Sequence, residues 1–132
     1  MSVDNKQIER TLIGKLIINP QDYYNNHSLL SPDIFKDPKN KRIYTYLSKE
    51  LEDGNKVDLV TLSEKISKSG EDLTSDVARM ISEDAYLETQ ALTCILGLNQ
   101  KKKKEQLLSL NNQIADMLSR DDDLFEILEY VE

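Results

Sequence analysis

Among 132 residues there is one cysteine, one histidine, four glycines and three prolines. A lone thiol, Cys94, excludes an intrachain disulfide and points to a reducing compartment. So few glycines and prolines argue against long coil regions. No apolar run approaches the roughly 20 residues that cross a bilayer. Met1-Ser2-Val3-Asp4-Asn5 lacks the pattern of a signal peptide, so the expected location is cytoplasmic. Basic residues are in deficit, 17 against 24 acidic ones, for a net charge of −7. Tight nucleic-acid binding needs a positive face, and this balance argues against it as the main task.

Catalytic signatures are absent as well. The sequence holds no G-x-x-x-x-G-K-[ST] phosphate loop and no G-x-G-x-x-G, H-E-x-x-H or C-x-x-C. His27 and Cys94 lie on separate segments, and one of each cannot build a zinc site without several carboxylates. The segment is therefore expected to be no enzyme and to hold no cofactor or metal.

What is present is helical periodicity. Apolar residues make up 39% and charged residues 31%, a balance suited to an all-α domain. Ile8, Leu12 and Leu16, widened by Ile13 and Ile17, predict an amphipathic helix from about Asn5 to Ile18. Asp4 or Asn5 can cap it, and Asn19-Pro20 ends it. Gly14, in its middle, calls for close packing of another element. A short helix is expected over Gln21 to Leu29, then a turn that plugs Ile34 and Phe35 into the core. Pro38 to Glu52 carries the stripe Ile43, Leu47 and Leu51, and Asp53-Gly54-Asn55 stops it. Asp58 is placed to cap a fourth helix, with Val57 as a hydrophobic staple and Gly70 at its end. Thr74 or Ser75 is expected to cap a fifth, with Val77, Met80 and Ile81 on one side.

From about Tyr86 to Leu118 the pattern fits one long helix carrying Leu92, Ile95, Leu96, Leu107, Leu110, Ile114 and Met117. Asn99 to Gln106 contains no apolar residue, so the helix must leave the core there or break. Asp122 or Asp123 can cap a last helix with Leu124, Phe125, Ile127, Leu128 and Val131, which stops in mid-pattern as a truncated element would. The expected division is a helical bundle over residues 1–85 and a helical hairpin arm over 86–132, its second leg incomplete. Leu107, Leu110, Ile114, Met117, Leu124, Phe125 and Leu128 are the candidate interface residues of that arm.

Other conspicuous residues have plain readings. His27 reads as a surface or helix-capping residue and Cys94 as a small buried apolar one. Lys101, Lys102, Lys103 and Lys104 read first as a solvated helix surface, and second as a contact for DNA or an acidic partner. Tyr23, Tyr24, Tyr44 and Tyr46 sit in helical stripes among acids, which favours core or interface roles over base stacking.

Three blocks, in order, carry a resemblance. Gln7-Ile8-Glu9 through Leu12-Ile13-Gly14 and Leu16-Ile17-Ile18-Asn19-Pro20 form the first. Leu30-Ser31-Pro32-Asp33-Ile34-Phe35-Lys36-Asp37-Pro38, with Arg42-Ile43-Tyr44 behind it, forms the second. Gly54-Asn55-Lys56-Val57-Asp58-Leu59-Val60-Thr61-Leu62 is the third and strongest. Together they resemble the N-terminal domain of the DnaB-type replicative DNA helicases over residues 7 to 66. Three departures stand out. Asn40 occupies a place where that family commonly has His, Glu71-Asp72-Leu73-Thr74 replaces its Gly-Gly and Tyr-Leu helix, and its long-helix Arg has no counterpart near Glu105 and Gln106.

The resemblance implies a helical bundle followed by a long helical hairpin, part of a collar on a hexameric ring in which hairpins pair between subunits as a trimer of dimers. It implies primase and a helicase loader as partners, with DNA contacted weakly or indirectly. ATP and Mg would belong to a separate motor domain. A free-standing helicase-binding adaptor, or a primase-type helicase-binding domain, is the alternative reading of the same pattern.

Overall fold

The computed structural model describes residues 5–119, and the helices follow the apolar spacing. α1, Asn5–Ile18, buries Leu12, Ile13, Leu16 and Ile17, and also Glu9, Thr11 and Gly14. It is enclosed on most sides and forms the centre of the globular unit, against α2, α3 and α5. At Gly14 the expected close approach is present. A Cβ there would stand 2.2 Å from the Met80 carbonyl oxygen and 2.9 Å from the Ala85 Cβ. Asp4 lies outside the described residues.

The second expected helix is shorter than its pattern. α2 spans Gln21–Asn25 and gives way to a 3-10 turn at His27–Leu29. The Asn26 side chain donates to the Asp22 carbonyl at 2.8 Å, the oxygen that its own backbone amide would take in a continuing α-helix. A second 3-10 turn, Pro32–Ile34, delivers Ile34 and Phe35 into the core, where Phe35 stacks on Tyr44 with ring centres 4.5 Å apart.

α3, Pro38–Glu52, starts with proline in its first turn, and the Asp37 carboxylate accepts from the Asn40 amide at 3.0 Å. Gly54, at φ +76°, turns the chain after it. α4, Leu59–Ser67, opens on a reciprocal cap. Asp58 Oδ1 accepts from the Thr61 amide at 2.9 Å, and Thr61 Oγ1 accepts from the Asp58 amide at 3.0 Å. Val57 is buried, as a staple requires.

α5, Thr74–Ser82, differs from expectation at its start. Neither Thr74 nor Ser75 caps it, because both lie inside the first turn. Asp72 Oδ1 instead accepts from the Thr74 amide at 3.1 Å. Val77 and Met80 are buried on its inner face.

The long helix, α6, is continuous over Ala91–Ser119 and runs through the polar stretch without a break. It begins later than Tyr86. Asp84–Tyr86 is a 3-10 turn followed by extended backbone at Leu87. The Lys15 ammonium takes the carbonyl oxygens of Ala85 and Leu87, at 2.9 and 2.8 Å, which a helix would have used internally.

Ala91, Cys94, Ile95 and Leu98 recur at helical spacing and join the same core cluster as α1 and α3. Packing therefore divides the chain after Asn99, inside α6, into residues 1–99 and 100–132. The fold is all-α, with no strand among the described residues. The returning leg expected from Asp122, with Leu124, Phe125 and Leu128, lies outside them.

Candidate interaction surfaces

The polar residues of the globular unit mostly serve as joints. Glu9 is fully buried. Its carboxylate accepts from Asn5 Nδ2 at 3.0 Å, the Lys36 amide at 2.9 Å, the Asp37 amide at 3.2 Å and Asn40 Nδ2 at 3.1 Å. One side chain thus ties α1 to the loop before α3 and to α3 itself. On the neighbouring side, Arg10 Nε and Gln7 Nε2 donate to the two oxygens of Asp84, at 2.9 and 3.0 Å. Sequence reading left these roles unassigned. The signal was a carboxylate at position 9, on the same helical face as Leu12, Ile13 and Leu16.

The tyrosines divide as their stripes suggest. Tyr23 and Tyr44 are buried, and Tyr24 is half exposed with its hydroxyl on the Leu51 carbonyl at 2.8 Å. The Tyr23 hydroxyl donates to Glu52 at 2.5 Å, and His27 Nε2 meets the same oxygen at 2.6 Å. Burial pushes the Tyr44 hydroxyl up to about 12. The hydrogen bond from Tyr23, then that from His27, hold the Glu52 carboxyl below its usual range. His27 is a surface residue beside the exposed Glu52 carboxylate. Cys94 is buried, and burial raises its thiol, so the reactive thiolate is disfavoured. No group of three or more His, Cys, Asp and Glu among the described residues is arranged to hold a metal ion.

Large apolar side chains are exposed in both units. Leu107 is 60% exposed, and Leu110 and Ile114 are half-buried. Met117 departs from the expected open stripe. It is only 8% exposed. Leu108 and Leu118, which the stripe does not include, are 61% and 59% exposed. Each follows a stripe residue by one position, and that adjacency was the available signal. On the globular unit, Ile18, Tyr86 and Leu92 line a depression of about 510 Å³ that the sequence did not suggest.

Lys101, Lys103 and Lys104 are exposed and Lys102 is half-buried. None has an ion pair among the described residues. Four consecutive residues at about 100° each nearly encircle a helix, so the lysines make a collar of charge around α6 with no single basic face. No described helix is long and apolar enough to cross a membrane.

Residues 2–93 match the DnaB-like helicase N terminal domain. The chain belongs to that family. A stretch of 65 residues is also 28% identical to the replicative DNA helicase DnaB of Rhodothermus marinus, taking in 49% of this chain and 7% of that protein. The chain thus spans a small part of that relative's length. The strongest family block, Gly54 to Leu62, proves to be a left-handed turn followed by a capped helix start. Gly54, Asp58 and Thr61 each have a backbone reason to be there, and the Val57 side chain is buried. The match to the DnaB-like domain stops at residue 93, so the lysine collar and the open leucines lie beyond it.

Proposed function

We propose that the chain is the N-terminal assembly domain of a replicative DNA helicase, which pairs with further copies in the collar of a hexamer and docks primase or a helicase loader. Membership of the DnaB-like N-terminal domain family over residues 2–93 is the observation that carries this reading. The open leucines 107, 108 and 118 support it, since a segment that works alone gains nothing by leaving them in water. In this reading the globular head and the arm are separate working parts, and Leu107, Leu110 and Ile114 belong to the pairing surface. The segment is not itself an enzyme. ATP and Mg are used by a motor domain, and DNA is met only weakly, as the charge of −7 favours.

Sedimentation tests the reading. The chain is expected to sediment above monomer mass as its concentration rises, and to gain mass again with the primase or loader of the same replication system. A chain that stays monomeric and takes up neither protein removes the reading.

A further inference from the structure

We draw no further inference here: the strongest candidate, the depression of about 510 Å³ on the globular unit lined by Ile18, Tyr86 and Leu92, is an apolar face whose lining carries one cation, Lys15, against one anion, Asp22, and nothing in the structure shows what covers it.

Discussion

The unit that ends at Asn99 and the stretch that begins at Gln100 use the same helical alphabet to opposite ends. In the first, the helices turn a closed apolar stripe onto α1 or onto a neighbour of α1 while Ile18, Val60, Leu92 and Leu96 stay exposed, and polar joints such as Glu9 and Asp84 lock the contacts. In the second, leucines at 107, 108 and 118 stay open although the backbone is just as regular. Helix formation therefore does not depend on closing the stripe. A regular helix with open leucines stores unused apolar surface, and that surface is where association can lower free energy.

Substitutions can break or sharpen this contrast. Leu12→Ala removes a fully buried side chain and is expected to cost about 4 kcal/mol in chemical denaturation. Gly14→Ala forces a methyl onto the Met80 carbonyl and is expected to cost about 3 kcal/mol by the same measurement. Gly97→Ala meets nothing within 4 Å and is expected to add about 1 kcal/mol, since it strengthens an open helical position. Hydrogen bonds from Thr61, foremost its backbone amide, hold the Asp58 carboxyl below its ordinary value of 3.8. Its stabilising effect is therefore present above that value and fades as pH falls through the lowered one. An acid titration of stability is expected to show a gap between wild type and Asp58→Asn that narrows below about pH 4. Leu108→Ala, in the open stretch, is expected to change monomer stability by no more than about 0.5 kcal/mol. A cost comparable to that of Leu12→Ala would show that the stretch is closed after all.

The sequence made the helices legible because stripes, caps and stops agreed. α1 ends, α3 begins and ends, and α4 begins where Asn19-Pro20, Asp37-Pro38, Gly54 and Asp58 indicate. Competition for carbonyl oxygens was hidden from a periodic reading. Asn26 ended α2 early, and Lys15 delayed α6, in each case through a side chain that took an acceptor the helix needed. The boundary after Asn99 lies later than the one expected at residue 85 for a related reason. Ala91, Cys94, Ile95 and Leu98 belong by pattern to the long helix and by packing to the core. Of the candidate interface residues, Leu107 is open, Leu110 and Ile114 are half-covered, and Met117 is closed. A stripe reports which residues share a face and does not by itself say how deeply each is buried.

The seam between α1 and α3 has one more consequence. Its acceptor is a single carboxylate, Glu9, and the donors are backbone amides and the primary amides of Asn5 and Asn40. None of those donors gains or loses a proton in the physiological range. A histidine at position 40 would do so near neutrality. On the donor side, this seam is therefore indifferent to acidification that would recharge a histidine in the same place.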